Sequence, residues 1–108
     1  MKVQKLQDKF KGWFIGDFEN AIVRDKNFEI AVKYDKAGDT VKKHFHKFCD
    51  EITVVVKGNI LINGQKFSEG DIILIEKNEA ADYVSIDDSI TVIVKIPSIP
   101  DDKHYTSE

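Results

Sequence analysis

Two histidines and a carboxylate lie close enough in this chain to share one metal ion. His44 and His46 are separated by a single residue, and Glu51 follows after four more. Residues at i and i+2 of a strand project from the same face, so both imidazoles can reach one ion about 2.0–2.1 Å from each ring nitrogen. Glu51, across the short loop at 47–50, can complete a two-histidine, one-carboxylate face. That donor set, with open coordination positions, serves non-haem iron(II) oxygenases and many catalytic zinc sites. Asp50 competes with Glu51 for this place, and Glu51 is preferred because it opens the run Ile52–Val56. Cys49 is either a soft ligand or a buried inert thiol, and the second reading is the more ordinary one. A His-x-His pair taken alone is more often a surface feature than a ligand set.

Other residues offer weaker chemistry. Lys42 has the strand parity of His44 and could meet an anionic substrate, although a solvated lysine at a strand end is the simpler reading. Trp13, Phe45, Phe48 and Phe67 could line a pocket, but in a small barrel aromatics more often pack the core. His104 lies in a polar tail and reads as exposed. No Ser-His-Asp set, phosphate-binding glycine loop or pair of catalytic carboxylates is present at recognisable spacing.

The elements that must position these groups are strands. Short segments rich in Val, Ile, Phe and Tyr alternate with Gly, Asn and Asp at close intervals, the pattern of a sandwich or closed barrel. Strands are expected over Trp13–Phe18, Ala21–Arg24, Phe28–Tyr34, Val41–His46, Glu51–Lys57, Asn59–Ile62, Gln65–Ser68, Asp71–Ile75, Asp82–Ser85 and Ser89–Ile96. Asn63-Gly64 between two apolar runs predicts a two-residue hairpin turn, since both residues accept positive φ. Further turn signals at 68–71 and 87–89 predict an antiparallel meander after Glu51 that then crosses between sheets. A parallel α/β sheet is excluded. Residues 1–12, with Val3, Leu6 and Phe10 at helical spacing, form either one short helix or an irregular arm over a barrel edge. The barrel spans 13–97, and 98–108 reads as a C-terminal tail.

At 108 residues the chain has room for one core and no separate cofactor domain. Its 42% hydrophobic and 32% charged residues are ordinary for a globular protein. A formal charge of −3, with the two signs interspersed, gives no electrostatic support for nucleic-acid binding. No signal-peptide pattern and no apolar run of membrane-spanning length occurs, so no membrane partner is expected. A lone cysteine cannot form an internal disulfide, which makes the cytoplasm the expected compartment.

The spacing around the two histidines carries a family resemblance. Gly38, five residues, His44-Phe45-His46, four residues, Glu51, six residues and Gly58 resemble the first conserved motif of the cupin superfamily at every defining position. Gly70-Asp71-Ile72-Ile73-Leu74-Ile75 is similar to the start of the second motif. The resemblance covers roughly Trp13 to Pro97 and implies an all-β fold, the cupin-type double-stranded β-helix or jelly-roll barrel. The second motif then departs from the family. Where cupins continue with proline, glycine and a metal-binding histidine, this chain reads Glu76-Lys77-Asn78-Glu79-Ala80-Ala81-Asp82-Tyr83. Asn78 can replace the turn glycine. Ala81 occupies the histidine position, Asp82 should face outward, and Tyr83 shares the inward parity of Ala81.

The resemblance implies a small single-domain, metal-binding cupin that accommodates a small polar molecule. His44, His46 and Glu51 would hold a divalent iron, manganese, zinc or nickel ion, and Tyr83 is the candidate catalytic contact or proton-transfer group. A metal-dependent oxygenase or isomerase is one outcome. The alternative is a non-catalytic ligand-binding or sensing module that has lost the full metal site with its last histidine. A homodimer is expected under either reading.

Overall fold

The structure, a computed structural model, describes residues 1–106. Within them the chain forms β1 (Trp13–Gly16), β2 (Val23–Arg24), β3 (Glu29–Asp35), β4 (Thr40–Phe45), β5 (Asp50–Lys57) and β6 (Ile60–Ile62). These are followed by β7 (Gln65–Phe67), β8 (Ile72–Ile75), β9 (Ala81–Ser85), β10 (Ser89–Ile96) and β11 (His104–Tyr105). Every strand expected from the apolar runs is present with small changes at its ends, and β11 is additional.

Two sheets result. The larger has the order β2-β1-β3-β10-β5-β8 and the smaller β11-β4-β9-β6-β7. Among the described residues only β1 and β2 pair in parallel. Alternation decides which side chains enter the space between the sheets. Ala31, Thr53, Val55, Ser89, Thr91 and Ile93 lie at every second position of β3, β5 and β10 and are buried. Val55, Ile60, Ile62, Ile75 and Ala81 form the apolar centre, with Phe67, Ile73 and Tyr83 packed against it.

The Asn63-Gly64 turn joins β6 to β7 as expected, with φ of 50° and 78°. Asn63 also ties the hairpin to β9. Its backbone N–H donates to Asp82 at 2.9 Å, and its side-chain oxygen accepts from the Asp82 backbone N–H at 3.1 Å. The expected meander after Glu51 is not what forms. β5, β8 and β10 belong to the larger sheet and β6, β7 and β9 to the smaller, so apart from the β6–β7 hairpin each connection crosses between sheets. The short polar turns that signal reversal are equally able to carry the chain across.

At the amino terminus no α-helix forms. Two single 3₁₀ turns, Leu6–Asp8 and Phe10–Gly12, make an arm anchored by the buried Lys9, whose ammonium donates to Gln4 and to the Asn20 carbonyl. The segment read as a tail also folds back, in its described part. Ser98 is buried between the Asp17 backbone N–H and the Glu29 carboxylate, and β11 pairs with β4. Ser107 and Glu108 lie outside the described residues. Among the described residues no helix is long and apolar enough to cross a membrane.

Gly58 marks the corner between β5 and β6. Its φ is +85°, and a Cβ there would lie 2.7 Å from the Asp88 carbonyl oxygen. Both the left-handed backbone and the close approach demand glycine. Gly58→Ala is expected to cost about 1–3 kcal/mol, read as a lower midpoint in thermal unfolding followed by circular dichroism. An unchanged midpoint would show that the corner is free to adjust.

Candidate metal centre

The histidines reach the interior through an irregularity in β4. Val41 pairs with Tyr83 and His44 with Ala81, so three residues of β4 span what two span on β9. This bulge adds one residue and reverses the facing of the residues beyond it. Lys42 therefore does not share the face of His44, as simple parity suggested. It is exposed, with its ammonium 5.4 Å from the centre of the Tyr105 ring. His44 and His46 both turn inward, as does Glu51, which lies between Ile75 of β8 and Lys95 of β10. Asp50 is held elsewhere, accepting the Lys77 backbone N–H at 2.9 Å.

The imidazole rings meet edge to face, with centres 5.2 Å apart. His44 Nδ1 lies 2.8 Å from the Lys42 carbonyl oxygen and, as the donor there, leaves the Nε2 lone pair free. His46 is buried, and its Nε2 has no hydrogen-bond partner. The nearest carboxylate oxygen, Oε1 of Glu51, is 4.0 Å away. Among the described residues no three His, Cys, Asp or Glu groups stand in ligating geometry as placed. Two donors of one tetrahedral ion are about 3.4 Å apart when each lies ~2.1 Å from it, against the 4.0 Å between His46 and Glu51.

Protonation states suit the same role. Burial lowers the pKa of His44, and Lys103, Lys95 and Lys33 add to this against the Lys42 carbonyl. Burial, reinforced by Lys95 and His44, brings His46 down to about 4. Both imidazoles are therefore neutral near pH 7, the form that ligates a metal. Burial raises Glu51, and the lysines oppose that shift. The residues thus fit a divalent ion by an orphaned buried nitrogen, two neutral imidazoles and a carboxylate at hand.

The site opens on a cavity of about 460 Å³. Trp13 lines it, whereas Phe48 is exposed, Phe45 stacks on His104 and Phe67 packs in the core. Phe10 and Phe18 line it as well, and no spacing rule would have singled them out. The Lys95 ammonium lies 4.9 Å from the centre of the Trp13 ring. Tyr83 also faces inward, but its hydroxyl is engaged, donating to Asp35 at 3.0 Å with Ser89 Oγ at 3.3 Å. Burial raises its pKa further.

No family model matches the sequence, and no curated protein matches it. Solved structures do. KdgF from Halomonas sp. superposes with a TM-score of 0.64 at 21% identity, covering 70% of this chain and 74% of that one. An RmlC-like cupin from Desulfovibrio desulfuricans gives 0.61 at 20% identity, covering 69% and 76%. The pirin YhhW from Escherichia coli, in complex with nickel(II), gives 0.67 at 18% identity over 82% of this chain and 39% of its own. The chain has the cupin fold. In this cupin fold Ala81, where the family resemblance expects a histidine, lies directly opposite His44 and lines the cavity.

The loop between His46 and Glu51 is shaped by a residue that no motif identified. Asp102 is buried and accepts the backbone N–H groups of Lys47, Phe48 and Cys49 at 3.0, 2.9 and 3.2 Å. His104 Nε2 lies 3.1 Å from the same carboxylate, so His104 is partly buried rather than an exposed tail residue. Burial pushes the Asp102 carboxyl up, but these donors outweigh it and hold the group at about 2. Cys49 is buried against the same carboxylate, and burial raises its thiol to about 12. That favours the inert thiol over the soft ligand.

A carboxylate whose pKa is depressed on folding stabilises the native state above its ordinary pKa. That contribution is lost as pH falls from about 4 to about 2. Asp102→Asn is expected to lower stability near pH 7 by about 2 kcal/mol and to flatten the difference from wild type below pH 3. Urea unfolding at both pH values measures this. Equal stability of the two proteins at pH 7 would refute the role given to the carboxylate.

Proposed function

We propose that this cupin-fold protein binds one divalent metal ion through His44, His46 and Glu51 and presents it to a small polar molecule in the cavity. The observation that carries the reading is the buried Nε2 of His46, which has no partner and faces the Glu51 carboxylate. An unpaired buried nitrogen costs about 1–3 kcal/mol, and an ion offsets that cost. When bound, such an ion supplies Lewis acidity or activates oxygen or water. The protein's own contribution is orientation. The Lys42 carbonyl fixes the His44 ring, and Asp102 fixes the loop leading to Glu51. Lys95, on the inward face beside Glu51, suits a ligand with an acidic group, and Trp13 and Phe18 supply apolar wall. Tyr83 orients a ligand through the Asp35 and Ser89 cluster at the opposite end of β9 from Ala81.

Elemental analysis and titration of tag-free protein with iron(II), manganese(II), zinc and nickel test the reading. About one ion per chain is expected. His44→Ala with His46→Ala should weaken binding by roughly 100-fold or more while circular dichroism still reports a folded barrel. Undiminished metal content in that double variant would sink the proposal. A second prediction uses Ala81. Because it lies opposite His44 and lines the cavity, Ala81→His should tighten metal binding about tenfold or more. No change in affinity would place Ala81 away from the ion.

Ala81 is also the observation that favours the second reading, a binding or sensing module without catalysis. The engaged hydroxyl of Tyr83 agrees with it, since its proton is already donated to the Asp35 carboxylate. Oxygen consumption with candidate diols or thiols by the metal-loaded protein supports the enzyme. Ligand binding by metal-free protein supports the module.

A further inference from the structure

Lys95 carries a charge that the cavity leaves uncompensated. Register sets it between two carboxylates, Glu29 of β3 and Glu51 of β5, yet it pairs with neither. Glu29 is buried and turned to Ser98, whose hydroxyl donates to it at 3.0 Å. Glu51 is turned toward His46. Among the described residues no carboxylate oxygen lies within 4.0 Å of the Lys95 ammonium, which rests over the Trp13 ring instead, 4.9 Å from its centre. Lys103 also lines the cavity and is placed in the same way over Tyr105. Lys33 differs, since Asp35 lies 3.8 Å from its ammonium. The other acids of the cavity are occupied or solvated. Asp102 accepts three backbone N–H groups, Glu79 and Asp82 accept those of Glu76 and Asn63, and Asp101 is exposed.

These ammonium groups oppose the ion that the imidazoles and Glu51 are placed to hold. The field of Lys95 lowers the pKa of both histidines, and the same field opposes the approach of a divalent cation. Near pH 7 the imidazoles are already neutral, so the lysine adds repulsion without freeing a further donor. Glu51 cancels one of the ion's two charges, which leaves one positive charge there beside those of Lys95 and Lys103. An anion in the cavity reverses this, because the ion and Lys95 both attract it. Trp13, Phe18 and Ile93 give an organic body an apolar wall to lie on. The head group that fits is a carboxylate. Phosphate esters are usually held by nests of backbone N–H groups or by guanidinium forks. The one arginine of the chain, Arg24, is engaged by Asp17 at 3.0 Å, and no phosphate-binding glycine loop is present. A carboxylate requires less, an ammonium on one side and a cation on the other.

We propose that a small organic carboxylate and the divalent ion bind this cavity as a cooperative pair, with Lys95 the residue that couples them. Alone, Lys95 repels the ion; with the carboxylate held against it and Trp13, that repulsion is offset. The coupling presupposes the metal reading of the site. Trp13 is the single tryptophan of the chain, so its fluorescence reports an occupied cavity, and calorimetry with zinc reports the ion. Phenylacetate is the probe, and 2-phenylethanol, with the same ring and no charge, is its control. Zinc should bind about tenfold tighter in millimolar phenylacetate than in the alcohol, and zinc should tighten phenylacetate by the same factor, since coupling is reciprocal. Lys95→Met should bind zinc alone several-fold tighter than wild type and lose the effect of phenylacetate. Lys95→Arg, which keeps the charge, should retain that effect. An enhancement that survives in Lys95→Met would overturn the proposal. Should that variant misfold, the wild-type comparison of acid with alcohol decides alone. Zinc bound equally in both leaves the ion site standing and removes the coupling, whereas zinc bound in neither removes both. A larger enhancement by phenyl phosphate than by phenylacetate would overturn the carboxylate in favour of a phosphate ester.

Discussion

One buried carboxylate that is not among the three candidate ligands organises the site around them. Asp102 lies 51 positions after Glu51 in the chain, yet it accepts three successive N–H groups of the loop that carries the chain from His46 to Glu51. Such donors have no partner in either neighbouring strand, and hydrogen bonds to a charged acceptor are worth about 1.5–3 kcal/mol each. The separation between the second imidazole and the carboxylate is therefore set by the segment after β10, held against β4 by the His104 and Tyr105 pairing. Two donors come from β4 and its end, one from β5, and the piece that registers them comes from the end of the chain.

A second constraint is facing. In a two-sheet barrel every residue points into the barrel or away from it, and a single inserted residue inverts the choice. The bulge in β4 uses this. It allows Val41 and the two histidines to be inward although they are three and five positions apart, and it sends Lys42 and Lys43 to solvent. The same alternation puts Lys33 and Lys95 inside, where they offset the carboxylates of Asp35 and Glu51; Lys95 helps keep both histidines neutral and Lys33 acts on His44. The polar half of the interior is thus a set of mutually adjusted charges, not a collection of isolated buried groups.

Much of this arrangement was legible in the residues. Strand positions followed from apolar runs and turn chemistry, because Asn63-Gly64 and Gly58 have few conformational alternatives. The inward facing of His44, His46, Glu51 and Tyr83 followed from i, i+2 spacing and from the resemblance to the cupin motif. The order of strands across the sheets did not, since a four-residue polar turn closes a hairpin or bridges two sheets equally well. The role of Asp102 was also hidden, because it depends on a long-range return of the chain that no local pattern encodes. The outward apolar rows were present in the sequence as continuous runs, but in such a run the apolar pattern alone does not tell the outward row from the buried one.

The cavity and the outer face make opposite demands on the same strands. β5 contributes Glu51 and Thr53 to the cavity and Ile52 and Val54 to the outer face, so each residue of this strand serves one surface or the other. A sheet loaded on both faces has little freedom to twist or slip, since a shift of one residue would bury Ile52 against the histidines and expose Glu51. Glu51 and Lys95 lie opposite one another on β5 and β10 and carry the inward face of these strands into the cavity. The missing fourth donor at Ala81 lies on β9, in the other sheet, where the hairpin contact through Asn63 and Asp82 holds the strand. The side of the candidate site nearest Ala81 is thus built by the smaller sheet, while Glu51 and Lys95 line it from the larger one.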